Sequence, residues 1–363
     1  VSRAAAAPGT GDRLPGERAG GDGSAAPLDV CFDVCVVIVA FHSAADLPGC
    51  LSSVRTALAG LEAAVVVVDN ASDDGAQALV RRDFPEVTFV QLLDNRGFAG
   101  GCHVGSGTPA ARRSRRLLFV NPDARLEPGA VRELLAAAAR HPRPGIVGGL
   151  AVRADGSPDP RSWCGRPTLW STFCFATGLS TVFAGSALLD PESSGPWRAG
   201  ALAADRAVPA VSGAVMLVER GLWDTVDGFD RSFFVYGEDV DLCLRASALG
   251  ASVVFAPAAR YSHQVGASSV GLRRAVLLFT GKVTLVRRHL PQPVRPLGAG
   301  LLLAGVALRA CASRLAAVRR RTGSGHGGRS GREQIPLGFW AELWRARGEW
   351  MQGWTSTVTG VQR

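Results

Sequence analysis

Apolar residues fall into short, β-branched runs separated by amphipathic stretches. Val34–Phe41 (VCVVIVAF) is apolar throughout, the pattern of a strand covered on both faces. Asp46–Gly60 reads as a helix, Ala64–Asp69 (AVVVVD) as a second strand, and Gly75–Arg82 as a helix. Val87–Leu92 and Arg116–Val120 predict third and fourth strands. Pro128 is expected to open the next helix, VRELLAAAAR, proline being suited to the first helical position. Ile146–Val152 is again strand-like. Strands alternating with helices predict an α/β fold, a doubly wound and mostly parallel sheet.

In such sheets ligands sit beyond the carboxyl ends of the strands. The residues just past those ends are Phe41 and His42, Asp69 and Asn70, Asn95 to Gly97, and Asn121 to Asp123. After Val152 the periodicity lapses for about 55 residues rich in Gly, Pro, Ser and Trp, a length expected of either a substrate-shaping loop region or a mobile one. Acceptor choice is accordingly placed in Ala154–Val208. Order returns with a strand at Ala210–Val218, a helix at Arg220–Val226, the acidic cluster Glu238, Asp239 and Asp241, and a strand at Ser252–Phe255.

The two ends differ. Residues 1–28 hold too little apolar surface to offset ordering and predict a disordered leader; no secretory signal is visible in them. Arg273–His289 and Leu297–Val318 are apolar and punctuated by arginine. The continuous run Leu297–Leu308 falls short of the roughly 20 residues that span a bilayer, and Arg309 and Arg314 interrupt its continuation, so a spanning helix is disfavoured. An interfacial foot on anionic lipid fits the pattern; a packed helical unit with solvated arginines fits it as well. On the first reading, a chain ending after His289 stays folded but leaves the membrane.

Charge sharpens this division. The 363 residues carry 40 Lys plus Arg against 31 Asp plus Glu, a formal charge of +9. Between Asp241 and Glu333 lie 15 bases and no acid, which leaves the remainder net acidic. The basicity is local, and no helix-turn-helix, zinc or RNA-binding signature accompanies it, so nucleic acid is not expected as a partner. Lys282 is the sole lysine. The eight cysteines lack paired CxxC spacing and read as buried, reduced thiols of a cytoplasmic protein. His141, His289 and His326 read as surface residues.

Three segments carry candidate chemistry. In VVVVDNAS, Asp69 ends a buried strand, where a carboxylate can accept a hydrogen bond from a nucleotide; a helix-capping aspartate would look the same. In LLFVNPDA, Asn121 and Asp123 offer hard oxygen ligands at a strand tip, suited to Mg²⁺ or Mn²⁺ carrying a diphosphate; NPD is also an ordinary turn. In GFDRSFFVYGEDVDLCLRASALG, three acids open a helix, where its dipole favours them. They also lie beside Phe233, Phe234 and Tyr236, an apolar surround that raises a carboxylate towards general-base range. The glycines Gly97, Gly100 and Gly101 suit either close approach to a donor or a tight turn into a helix.

Taken together, VCVVIVAFH, VVVVDNAS, DNRGFAGG, FVNPDA, VSGAVMLVERGLWDTVDGFD and FFVYGEDVDLCLRASALG, followed by His263, resemble family 2 glycosyltransferases of the inverting GT-A type, in their rhamnosyltransferase-like branch. The resemblance runs from about Asp33 to Arg288. It implies a GT-A domain over residues 29–270, with a nucleotide-sugar half (29–150) and an acceptor and catalytic half (151–270), followed by a basic helical region (271–363). It further implies a nucleotide sugar donor, a divalent metal (Mg²⁺ or Mn²⁺), and displacement with inversion onto a glycan or lipid-linked acceptor of the cell envelope. The donor expected is dTDP-rhamnose, with a UDP-sugar left open; the expected location is cytoplasmic, peripheral on the inner face of the membrane.

By the same resemblance Asp69 contacts the nucleotide base, with Phe41, Asn70, Asn95, Gly97 and Asn121 around the donor. Asp123 and His263 hold the metal, and Asp239, beside Glu238, is the general base. Two positions depart from the pattern: Asn121 stands where the family often has aspartate, and His103 follows GFAGG where the branch usually has asparagine. A nucleotidyltransferase of related fold, or a non-catalytic sugar-nucleotide or lipid-binding protein, remain as alternatives. The first lacks its glycine- and arginine-rich N-terminal signature and phosphate lysine, and donor hydrolysis distinguishes the second.

Overall fold

The computed structural model describes residues 30–141, 143, 145–193, 202–263, 271–322 and 338–355. The expected leader 1–28 and His326 lie outside them, as do the side chains of Arg319 to Arg321. The strands are β1 (Val34–Ala40), β2 (Ala63–Asp69), β3 (Thr88–Gln91), β4 (Arg116–Val120), β5 (Ala124–Leu126), β6 (Ile146–Val152), β7 (Trp163–Cys164), β8 (Arg206–Ala207), β9 (Ala210–Val211), β10 (Val215–Glu219) and β11 (Val253–His263). The helices are α1 (Leu47–Ala57), α2 (Ala76–Asp83), α3 (Gly97–Ser106), α4 (Pro109–Arg112), α5 (Ala130–Arg140), α6 (Leu169–Thr177), α7 (Leu179–Val182), α8 (Arg220–Thr225), α9 (Glu238–Ala248), α10 (Leu272–His289), α11 (Arg295–Thr322), α12 (Phe339–Arg345) and α13 (Arg347–Trp350).

The main sheet has the order β3-β2-β1-β4-β10-β6-β11-β5, with β8 beside β11. Strands β3, β2, β1 and β4 are mutually parallel, so Phe41, Asp69 and Asn121 emerge at one edge. β1 is buried at every position because helices cover both faces, as its unbroken apolar run requires. The expected strand Ala210–Val218 is split into β9 and β10 around Ser212–Ala214. β10 runs antiparallel to both β4 and β6, which makes the whole sheet mixed.

Three local expectations change. Pro128 does not open a helix: Ala130 N–H donates to Glu127 C=O at 3.0 Å and Gly129 has φ +85°. This is a turn with proline second and glycine third, and α5 starts after it. The strand expected to stop at Phe255 runs on to His263, because a register shift between Ala256 and Arg260 absorbs Pro257 as a bulge. The aperiodic tract after Val152 contains helices α6 and α7; α6 is opened by a capping box between Thr168 and Ser171.

The C-terminal region is part of the body. Val283 and Val286 of α10, Leu302 and Val306 of α11, and Leu343 and Trp350 form one buried cluster against which Leu169 and Phe175 pack. A chain ending after His289 therefore loses core, contrary to the expectation of an independent foot. α11 also runs through Arg309 and Arg314 unbroken, 28 residues in all. Arg309 donates to the Phe175 carbonyl at 2.7 Å, so it is consumed as a helix-to-helix clamp. By length and composition the segment Gln292–Ala317 is long and apolar enough to cross a membrane, which corrects the count made from its longest apolar run. None of the eight cysteines is in a disulfide; Cys31 and Cys311 are exposed rather than buried.

Candidate active site

The acidic cluster at the start of α9 divides into two roles. The turn before it is held in left-handed backbone at Tyr236 (φ +68°) and Gly237 (φ +102°), uncommon for a bulky residue and sustained only by surrounding contacts. Gly281 of α10 supplies one contact: a Cβ there would stand 2.2 Å from the Tyr236 carbonyl oxygen. Gly97 supplies another, since a Cβ on it would meet the Phe234 carbonyl oxygen at 2.2 Å, and Phe98 N–H donates to that oxygen at 2.8 Å. The glycine loop thus packs against the aromatic turn.

Asp239 lines a cavity of about 590 Å³ together with Glu238, Asn121, His263, Trp163 and Lys282. Its Oδ2 accepts from Gly213 N–H at 2.9 Å and its Oδ1 from Val240 N–H at 2.8 Å. Burial raises its pKa above the ordinary aspartate value, against the lowering by those backbone bonds. Glu238 is more deeply buried, its Oε2 without a hydrogen-bond partner. Burial, then the neighbouring Asp239, push its pKa up to about 8, so it is protonated at neutral pH. Of the two, Asp239 is the one only partly buried at the cavity wall.

Asp241 faces elsewhere. Fully buried, it accepts from His289 Nε2 at 2.8 Å and from Arg245 Nε at 2.7 Å. Burial opposes its ionisation, but His289 and Arg245 hold its pKa below the usual value. His289, expected at the surface, is instead 15% exposed and ties α10 to α9.

At the sheet edge, His263 Nε2 lies 3.0 Å from Asp123 Oδ1 and 3.4 Å from Asn121 Nδ2. One carboxylate, one imidazole and one amide thus converge, a donor set that suits Mn²⁺ or Mg²⁺ when phosphate oxygens complete it. Among the described residues no cluster of three or more His, Cys, Asp or Glu could hold a metal ion; an ion at this edge would have Asp123 and His263 as its residues of that kind.

Asp69 is 1% exposed. Its oxygens accept from Ser72 N–H at 2.8 Å, Ser72 Oγ at 2.6 Å and Gln91 Nε2 at 2.5 Å, leaving it spare lone pairs but bracing its own loop first. It borders an open depression with Ser72, Asp73, Gly75 and Gln91. Asn70 Nδ2 donates to the Gly97 carbonyl at 2.9 Å and Asn95 Oδ1 accepts from Gly97 N–H at 2.9 Å, so both shape the glycine loop. Phe41 is exposed beside His42 at the edge of β1. His103 is spent on the fold: Nε2 lies 2.6 Å from the Phe229 carbonyl.

Sequence reasoning missed another part of the cavity wall. Glu192, Ser171 and Lys282 meet there: Lys282 Nζ lies 3.1 Å from Glu192 Oε2, and Ser171 Oγ donates to Glu192 Oε1 at 2.6 Å. Nothing in the pattern around Glu192 announces it. The solitary lysine was the one available signal.

The family described as "Glycosyltransferase like family 2" matches residues 33–278. N-acetylglucosaminyl-diphospho-decaprenol L-rhamnosyltransferase of Mycobacterium tuberculosis is 31% identical over 216 residues, 55% of this chain and 66% of that protein; the match thus spans just under two thirds of the relative. Rhamnosyltransferase WbbL of Escherichia coli K12 is 41% identical over 59 residues, 16% of this chain and 22% of that one. The mannosyltransferase PcManGT from Pyrobaculum calidifontis, solved with GDP-Man and Mn²⁺, superposes with a TM-score of 0.50 at 18% identity, over 90% of this chain and 88% of that one. The last supports a shared fold. With more than half of its length matched by the family, the chain belongs to glycosyltransferase-like family 2.

Proposed function

We propose that this protein transfers a sugar, rhamnose, from dTDP-rhamnose to a lipid-linked N-acetylglucosamine acceptor, with inversion at the anomeric carbon. The observation that carries the reading is one cavity bordered by a backbone-held carboxylate, Asp239, and by Asn121 and His263 of the edge cluster. The similarity to the mycobacterial rhamnosyltransferase supports the sugar and acceptor class.

Asp239 removes the proton of the attacking acceptor hydroxyl. Its raised pKa brings its basicity closer to that task, and two N–H donors fix where the carboxylate stands. Neutral Glu238 adds no negative charge beside it. Asp123 and His263 would hold a divalent metal, which supplies charge neutralisation to the departing diphosphate. The loop of Asp69, Ser72 and Gln91 borders the depression proposed for the nucleotide base. Orientation and one base suffice, since a nucleoside diphosphate leaves without covalent help from the protein.

For its location we propose the cytoplasmic membrane surface. Leu297, Leu308 and Leu315 are exposed on α11, and exposed Trp170 and Phe173 lie on α6, which packs against it.

The test incubates purified protein with dTDP-rhamnose, Mn²⁺ and N-acetylglucosaminyl diphosphate on a short alkyl chain. Formation of a rhamnosyl product of inverted anomeric configuration is expected. Turnover only with another nucleotide sugar would reassign the donor, and neither transfer nor donor hydrolysis with any of them would reject the reading.

A further inference from the structure

Lys282 stands out twice. It is the only lysine in a chain that otherwise uses arginine for every basic side chain, and it projects into the cavity that holds Asp239. An ammonium and a guanidinium are not interchangeable: the first is a compact charge with three donors, the second a planar fork. Here the Lys282 side chain is 43% exposed and that of its partner Glu192 29% exposed; an ammonium has three donors and a carboxylate about four acceptor sites, so each keeps hydrogen-bonding capacity after pairing with the other.

The surroundings define what could use that capacity. Glu192 is anchored by Ser171, itself fixed in the first turn of α6. Lys282 sits 5.8 Å from the centre of the Phe175 ring. Leu278, Leu285 and Leu302 give the wall its apolar remainder. Gly165 N–H donates to the Glu192 carbonyl at 3.0 Å, which joins this wall to Cys164, a residue whose thiol feels both Asp239 and the Glu192–Lys282 pair. The pair and the base therefore face one space. Two buried polar atoms without partners, Trp163 Nε1 and Glu238 Oε2, belong to residues of the same cavity.

Charge decides the ligand class. Glu192 neutralises Lys282, Arg161 of the lining is paired with Asp159, and Asp190 adds a further carboxylate. A phosphate group finds no net positive charge here. A hydroxyl or acetamido group does find both a donor and an acceptor, and apolar walls can take the face of a sugar ring.

We propose that Glu192 and Lys282, braced by Ser171, form the subsite that binds the polar ring substituents of the acceptor sugar, presenting its reacting hydroxyl to Asp239. The subsite joins the segment after α7 to α10, so the C-terminal helical region contributes directly to acceptor choice. The assignment rests on the glycosyltransferase reading above.

Equilibrium binding of N-acetylglucosaminyl diphosphate on a short alkyl chain tests it by calorimetry, without donor and without turnover. Lys282→Met and Glu192→Gln should each weaken binding roughly 10- to 100-fold, the range for hydrogen bonds to charged groups. Lys282→Arg should not restore it. Binding of the alkyl diphosphate lacking the sugar should be the same in all four proteins. A Kd within twofold of wild type in both single variants overturns the subsite, as does an equal loss for the sugar-free probe or no binding by wild type. A deoxy analogue lacking one ring hydroxyl should bind wild type as weakly as the variants bind the full probe, and the variants no more weakly still; this separates a lost contact from misfolding. Wild type that binds the probe but transfers nothing to it rejects the proposed reaction and leaves the subsite standing.

Discussion

His263 Nε2 lies 3.0 Å from Asp123 Oδ1 although 140 positions separate the two residues. The register of β11 against β5, which pairs His263 with Ala124, puts them there. If the pair holds a divalent ion, Asp123→Ala and His263→Ala should each abolish the extra thermal stabilisation that Mn²⁺ adds to a nucleotide sugar. The double variant should be little worse than either single one, because each removes a member of one unit. A full Mn²⁺-dependent shift in both variants would remove the metal from this site.

Asp239→Asn should lower transfer by roughly 10²- to 10⁴-fold, the usual worth of a positioned general base. Since Oδ1 can still accept from an N–H, the turn and donor binding should survive. The rate of the unmodified protein should fall on the acid side at a pH above the ordinary aspartate range, because burial raises the pKa of Asp239 and the base must be unprotonated. Measured pH profiles of kcat/KM check both statements, and near wild-type transfer by the variant would sink the base assignment.

Glu238 makes stability depend on pH in the opposite sense to a salt-bridged acid. Burial and Asp239 raise its folded pKa from 4.5 to about 8. Between these values the unfolded chain has released a proton that the folded chain keeps, so stability falls as pH rises through the window and levels off above it. The slope from this group is at most about 1.4 kcal/mol per pH unit. Glu238→Gln should flatten it and raise the melting temperature most at pH 8. An identical pH dependence in the variant would show that Glu238 ionises normally.

Much of this architecture is legible in the chain because its cause is local. The parallel strands β1 and β2 follow from unbroken β-branched runs and β4 from the apolar run LLFV, and Asp69, Asn121 and Asp123 from their positions at strand ends. The role of Asp241 is not legible, since its partner His289 lies on another helix, and three acids in four residues look alike until packing separates them. Asp239 meets the cavity; Asp241 meets His289. Glu192 lies in an aperiodic tract and acquires meaning only when α10 brings Lys282 against it. The strand read as Ser252–Phe255 errs in the other direction, because a bulge at Pro257 carries it on to His263.

Asp241→Ala leaves His289 and Arg245 without the carboxylate that joins α9 to α10. Removing one member of a buried charged set costs about 3 to 5 kcal/mol, and a chemical denaturation curve should show a loss of that order. The consequence extends to the site, because α10 also presses Gly281 on the Tyr236 carbonyl and carries Lys282. A stability within 1 kcal/mol of wild type, by the scale of ordinary surface changes, would mean that the tie is dispensable.

The last prediction concerns the bare side of α11. Leu297, Leu308 and Leu315 are exposed and stand 11 and 7 positions apart, close to whole numbers of helical turns, so they share one stripe. Ala299, Leu302, Val306 and Ala310 are buried and fall on the opposite side, against the protein body. Arg309 and Arg314 lie between the two faces. A helix with one apolar face packed, one bare and arginines at the flanks suits the plane of an anionic membrane surface. Leu308→Glu with Leu315→Glu leaves the packed face untouched, so melting temperature should hold. Each leucine buried in lipid contributes about 1.5 to 3 kcal/mol, and the double change should cut co-sedimentation affinity for phosphatidylglycerol-containing vesicles by roughly 100-fold or more. Unchanged affinity with the fold intact would place any lipid contact elsewhere on the molecule.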